Sequence, residues 1–268
     1  MRATIWGCRG ALATPGEPTL RYGGNTTSVE VRTASGRIVV LDAGTGIRPL
    51  GLALADERPT RIDLILTHLH LDHVEGLGFF APLFDPECAI TIWGPHQEGS
   101  SLRDRVAAYL SPPLFPLPFD QFGSRIDLRE LGAETWQLDG LNVTAAPVKH
   151  PGSTLGYRLE EQGRAFAFIP DNELGLEPES GLALAEGADL LFHDAQYTPD
   201  EYRARNGWGH TSIEDLPRFL ATADAKRAVM FHHDPTHADA ALEAMHERVR
   251  ELTGRDVELA AERSSYQL

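Results

Sequence analysis

Positive charge is scarce in this chain. Its 268 residues carry 24 Lys+Arg against 39 Asp+Glu, a formal net charge of −15. A protein that grips long nucleic acid neutralises many phosphates with a basic stripe. The acidic balance argues against that partner class and leaves room only for a local basic pocket. Cysteine is scarcer still. Cys8 and Cys88 can pair at most once, which excludes a disulfide framework. Neither lies in a metal-spaced pair, and a reduced, cytoplasmic compartment is expected. No run of about 20 uncharged apolar residues exists that would span a bilayer. The opening MRATIWG has no apolar stretch behind its single basic residue, so no signal peptide is expected. Internal repeats and low-complexity linkers are also lacking. What remains is ordinary soluble composition, 42% hydrophobic and 24% charged, with enough chain to bury a core without staples.

Short strand-type runs recur at Thr4–Trp6, Ser28–Arg32, Arg37–Leu41, Ile62–Thr67, Ala89–Trp93, Leu141–Val148, Leu155–Leu159, Ala165–Ile169, Asp189–Phe192 and Ala228–Phe231. Several are continuous Val/Ile/Leu/Phe, which suits strands covered on both faces. Helical spacing marks Ile47–Ala55, Leu102–Leu110, Ile213–Ala223 and Asp239–Leu252. Ser212 before Ile213-Glu214-Asp215 predicts a capped helix start. Strands mixed with helices in this order predict layered sheets with helices outside. Four prolines in Ser111–Phe122 (SPPLFPLPFDQF) forbid regular structure there. The phenylalanines and leucines of this stretch need burial, which predicts an ordered loop, over a pocket or at a subunit contact of a homodimer.

The informative segment is Ile62–Gly76, IDLILTHLHLDHVEG. An apolar run stops at Thr67, and His68, His70, Asp72 and His73 follow. At the end of a buried strand, alternate residues His68 and His70 project to one side. Asp72 and His73 then come from the departing turn. Four ligand-type side chains at one strand end make half of a two-metal site, and imidazole with carboxylate suits zinc, iron or manganese. A solvated polar strand end is the plain alternative, but unpaired imidazoles clustered beside a core are costly to bury.

At these residues the chain resembles the metallo-β-lactamase superfamily. The resemblance implies an α/β fold, a four-layer αββα sandwich, here one hydrolase domain over 1–268, with two metals between the sheet edges. Further ligands in that superfamily come from later strand ends, and each has a match. His150 ends VTAAPVKH, Asp171 ends FAFIPD and His232 ends AVMFH. The resemblance assigns His68, His70 and His150 to one divalent metal, most simply zinc with manganese or iron as alternatives. It assigns Asp72, His73 and His232 to the second, with Asp171 bridging. Metals so bridged would lie about 3.5–4 Å apart and share an activated hydroxide. His233 rivals His232, which is preferred as the first residue after the apolar run.

Within the superfamily, Leu190–Tyr197 (LLFHDAQY) resembles the His-Glu-Ala-Thr motif of the ribonuclease Z branch, with Asp194 in place of Glu. Gly209-His210-Thr211-Ser212 resembles its Gly-His-Ser-Thr motif. The resemblance makes His210, Asp194 and Asp72 the catalytic candidates, with His210 protonating the leaving oxygen. A histidine tuned by a carboxylate can be an imidazolium near neutral pH and donate that proton. His193 is expected to be structural. Asp42, ending another strand, could hydrogen-bond a ligand histidine. Tyr22–Ser28 (YGGNTTS) resembles the branch's Asn-Thr-Ser segment; it either turns N–H groups toward an anion or simply turns the chain. Trp208 either stacks a base or packs as a buried aromatic in its Gly-Trp-Gly turn.

Ribonuclease Z carries a long tRNA-gripping arm between the ligands matched by His150 and Asp171. Only Pro151–Pro170 lies there in this chain, mostly consumed by two strands. The expected substrate is therefore a small phosphodiester, such as a cyclic nucleotide, and not long nucleic acid. The alternative is an ester, lactone or thioester hydrolase of the same fold.

Overall fold

A computed structural model describes residues 1–174 and 181–268. The strands follow in chain order as β1 (Arg2–Gly7), β2 (Ser28–Arg32), β3 (Ile38–Leu41), β4 (Arg61–Ile65), β5 (Ala89–Pro95), β6 (Arg125–Leu131), β7 (Glu134–Leu138), β8 (Leu141–Pro147), β9 (Leu155–Glu161), β10 (Arg164–Ile169), β11 (Leu190–Asp194), β12 (Ala228–Phe231), β13 (Val257–Leu259) and β14 (Ser265–Gln267). They form two seven-stranded sheets, β14-β1-β2-β3-β4-β5-β6 and β13-β12-β11-β10-β9-β8-β7. The helices are α1 (Ile47–Glu57), α2 (Leu71–Val74), α3 (Leu102–Tyr109), α4 (Leu182–Ala185), α5 (Pro199–Arg205), α6 (Leu216–Ala223) and α7 (Asp239–Thr253). Among the described residues no helix is long and apolar enough to cross a membrane.

Side-chain alternation sets the layers. In β3, Val39 and Leu41 face the second sheet, while Ile38 and Val40 face α1 and α3. In β10, Phe166 and Phe168 meet the first sheet, while Ala167 and Ile169 meet α4, α6 and α7. Both faces are covered, so both alternating sets are apolar. The result is the four-layer αββα sandwich. Strands β3 to β6 are mutually parallel, as are β10 to β13. Their carboxyl ends deliver the polar residues to one edge of the sandwich. Tyr157 closes that edge, donating its hydroxyl to the Leu66 carbonyl at 2.6 Å.

Several elements differ from expectation. Strand β6 escapes notice because Arg125, Asp127, Arg129 and Glu130 fill it; its apolar residues Ile126 and Leu128 pack on the α1/α3 layer. Strands β13 and β14, which no strand-type run marks, are three residues each. The helix expected from Ile213 begins at Leu216. Ser212 is still extended, bridged to Tyr197, and the Ile213 N–H goes to the Tyr197 carbonyl at 2.9 Å. Helix α5 shows a full capping box between Thr198 and Glu201 with Pro199 in the first turn, a legible signal that was passed over. In the proline loop Phe119 and Phe122 are buried as expected, but Leu114 stays in water.

A buried ion pair ties the start of β3 to β4 and, through Trp93, to β5. Arg37 reaches Asp63 Oδ2 through Nε at 2.9 Å and Nη2 at 2.6 Å, and Trp93 Nε1 donates to Asp63 Oδ1 at 3.0 Å. Removing the guanidinium leaves a carboxylate inside β4 with one donor. Arg37→Met is expected to lower the unfolding free energy by about 3–5 kcal/mol, read from urea denaturation. Arg37→Met/Asp63→Asn should recover part of that loss, because no charge is then stranded.

Candidate metal centre

Six strand ends converge on the polar edge. Asp42 follows β3, Thr67 and His68 follow β4, His150 follows β8, Asp171 follows β10, Asp194 closes β11 and His232 follows β12. Helix α2 adds Asp72 and His73. All nine residues expected at the site are brought together. His150 Nε2 lies 3.1 Å from His70 Nδ1, and the His68 ring is 4.8 Å from that of His150. His73 Nε2 lies 3.2 Å from both Asp72 Oδ2 and Asp171 Oδ2. His232 Nε2 is 3.1 Å from Asp72 Oδ2 and 3.3 Å from Asp171 Oδ1. Asp171 Oδ1 is 3.8 Å from His150 Nε2, so this carboxylate touches both histidine groups. His233 turns away and bonds the Ala260 carbonyl at 2.9 Å.

The donor set fits divalent transition-metal ions. Three groupings, His68/His70/His150, His68/His73/Asp171 and Asp72/His73/His232, each offer ligand atoms within 4.8 Å of one another. His68 Nε2 is buried and lacks a hydrogen-bond partner, and Asp171 Oδ2, also buried, faces His73 Nε2 at 3.2 Å. Buried polar atoms are rarely left so without a reason, and a cation between them supplies one. The two carboxylates and three of the histidines are held in the form that binds a cation. Burial opposes charge on every member, yet the neighbouring imidazoles hold Asp171 well below the usual carboxylate range and lower Asp72 too. Burial keeps His68, His70 and His150 below the ordinary imidazole range, with lone pairs free. His73 is held well above that range, because Asp171, Asp72 and Asp42 outweigh its burial.

A ring of partners fixes these side chains. Asp42 Oδ2 accepts from His73 Nδ1 at 2.8 Å, while Thr67 donates its N–H to Asp42 Oδ1 at 2.7 Å and its hydroxyl contacts His68 Nδ1 at 3.0 Å. Gln196 Oε1 accepts from His232 Nδ1 at 2.7 Å, and the Gly209 carbonyl accepts from His150 Nδ1 at 2.9 Å. The Ala11 N–H donates to Asp72 Oδ2 at 2.7 Å. Each bond to a histidine leaves the opposite nitrogen for the cluster centre, while Ala11 holds the same Asp72 oxygen that faces His73 and His232. Asp42 and His232 are both held at φ 60°, which costs about 1–2 kcal/mol per residue for L side chains. Strain of this kind concentrates where function needs a side chain aimed. Gly10 passes so close to His232 that a Cβ would sit 2.4 Å from its Nδ1.

Beside this cluster, His210 Nδ1 donates to Asp194 Oδ2 at 2.8 Å. The His210 ring stacks on His232 with centroids 5.0 Å apart. Burial pulls the imidazole down, but Asp194 outweighs it and the net shift is upward. His193 instead contacts the Asp194 carbonyl and the Phe219 ring, as a structural residue would. The Tyr22–Ser28 segment is tied inward. Asn25 donates its N–H to Glu262 at 2.6 Å and Thr26 its N–H to Thr45 at 2.9 Å, so those N–H groups face no anion.

Thr67, Gln196 and Glu173 hold the site in ways that no motif assigns. Thr67 and Gln196 sit inside the quoted motifs. Glu173, buried two residues after Asp171, accepts from the Gly207 and Gly209 N–H groups at 3.0 Å each. Its partners lie 34 and 36 positions away, so no local spacing marks it.

Residues 37–233 match the family described as Beta-lactamase superfamily domain. The chain is similar to Ribonuclease Z of Mycobacterium avium (strain 104), 27% identical, covering 83% of this chain and 84% of that protein. Among solved structures it is similar in fold to the metallo-beta-lactamase fold protein YhfI from Bacillus subtilis, with TM-score 0.75, 16% identity and coverage of 99% and 98%. A diphosphatase from the PhnP family is similar too, with TM-score 0.71, 18% identity and coverage of 100% and 97%. With most of its length matched, and with a histidine–aspartate centre suited to divalent ions at the sheet edges, the chain belongs to the metallo-β-lactamase superfamily, as a metal-dependent hydrolase.

Proposed function

We propose that the chain is a dinuclear phosphodiesterase acting on small phosphodiesters, cyclic nucleotides among them. The observation that carries this reading is the His210–Asp194 pair set against the ligand cluster. His68, His70 and His150 would hold one ion and Asp72, His73 and His232 the other, with Asp171 between them. Zinc is the simplest choice for such donors. When bound, the ions supply Lewis acidity, activating water as a nucleophile and offsetting charge on the phosphoryl oxygens.

The chain's own residues do the rest. An alkoxide is a poor leaving group until protonated. His210, with Nδ1 on Asp194, presents Nε2–H to the departing oxygen, and its cation balances the growing negative charge. Two of the similar proteins, a Ribonuclease Z and a diphosphatase, are named for phosphoryl chemistry, which supports the substrate class. Between His150 and Asp171 the structure places the antiparallel pair β9–β10. With the net charge of −15, that supports a small substrate over tRNA.

Two outcomes test this. His210→Ala should keep its metal content while kcat falls about 10²–10⁴-fold on an alkyl-type diester, and fall much less on a p-nitrophenyl diester, whose leaving group needs little protonation. Loss of metal in that variant would make His210 a ligand. Zinc-loaded protein should also turn over bis-p-nitrophenyl phosphate or cyclic nucleotides faster than p-nitrophenyl esters, lactones, thioesters or precursor tRNA. Preference for a carbonyl substrate, or for precursor tRNA, would overturn the substrate class.

A further inference from the structure

Trp208 is 61% exposed, yet it does not hang on a loose loop. The Gly207 and Gly209 N–H groups on either side of it are both fixed to the buried Glu173 carboxylate, at 3.0 Å each. Tyr202 donates its hydroxyl to the same carboxylate at 3.1 Å. Both glycines adopt positive φ, 86° and 92°. A side chain at position 209 would meet His150 Nδ1 at 2.4 Å. The backbone is therefore pinned on both sides of the indole.

The location is the mouth of the metal centre. Of the clustered histidines, His70 is exposed, so solvent reaches the site past it. The Gly209 carbonyl rests on His150 Nδ1 at 2.9 Å, and Trp208 is the residue before it. The Arg205 guanidinium backs the indole, 6.0 Å from the Trp208 ring and 5.2 Å from that of Tyr197. A cation behind an aromatic ring supports it at small cost. A large apolar ring left in water forgoes its burial energy. A rigid mount means that a ligand stacking on the ring has little ordering entropy to overcome.

We propose that Trp208 is a stacking subsite for the nucleobase, or an equivalent planar heterocycle, of the substrate. This rests on the phosphodiester reading of the metal site, which supplies the anchor for the phosphate end. Stacking on one aromatic side chain corresponds to about 5- to 150-fold in affinity.

The test is isothermal titration of zinc-loaded protein with adenosine 5′-monophosphate and with ribose 5-phosphate, which differ by the base alone. The wild type should bind the nucleotide more tightly by a factor in that range. Trp208→Ala should bring the two affinities together by weakening the nucleotide only, and Trp208→Phe should keep most of the difference. Trp208→Leu, which retains bulk, should lose it, and this pair decides if the alanine variant folds poorly. Equal affinities in the wild type, or an unchanged preference in Trp208→Ala and Trp208→Leu, would overturn the subsite. A Trp208-dependent preference in a protein that cleaves no phosphodiester would keep the subsite and overturn the reaction. Phosphodiester cleavage with equal affinities would do the reverse.

Discussion

A buried set of imidazole and carboxylate donors aimed at one another is the constraint around which this structure is arranged. Among them, His68 Nε2 is buried without a hydrogen-bond partner. Packing them beside an apolar core is unfavourable unless a cation joins the cluster. The two sheets make that packing possible. They bring six strand ends to one edge, and the ties across that edge, such as Leu155 N–H to the Thr67 carbonyl at 2.9 Å, keep the two halves of the ligand set in register.

The surrounding hydrogen bonds give direction to groups that would otherwise rotate. Asp42 serves His73 and, through Thr67, His68. Gln196 serves His232, and the Gly209 carbonyl serves His150. That last contact links the metal centre to the substrate side, because residues 207–210 carry both the wall of the mouth and His210. Glu173 fixes this segment from beneath. The chemistry of the site and the shape of its opening thus depend on one short segment and one buried carboxylate.

Much of this was legible in the sequence because the ligands follow apolar runs. A strand that stops at a histidine or aspartate announces both the edge and the donor. His232 over His233 followed from the same rule, and the structure turns His233 onto Ala260. The sheet margins were not legible. Strand β6 is filled with charge, and β13 and β14 are too short to show a period. The helix after Ser212 starts three residues later than expected, at Leu216, although Ser212 Oγ accepts the Glu214 N–H at 3.3 Å. Gln196 and Glu173 were hidden for a different reason. They act on residues more than thirty positions away, a relation that only the fold creates.

The direct test of the dinuclear centre is anomalous diffraction at the zinc edge from crystals of the zinc-loaded protein. Two peaks are expected about 3.5–4 Å apart, one among His68, His70 and His150 and one among Asp72, His73 and His232, with Asp171 reaching both. A single peak at full zinc loading, or a second peak held by other side chains, would contradict the dinuclear centre on which the proposed chemistry rests.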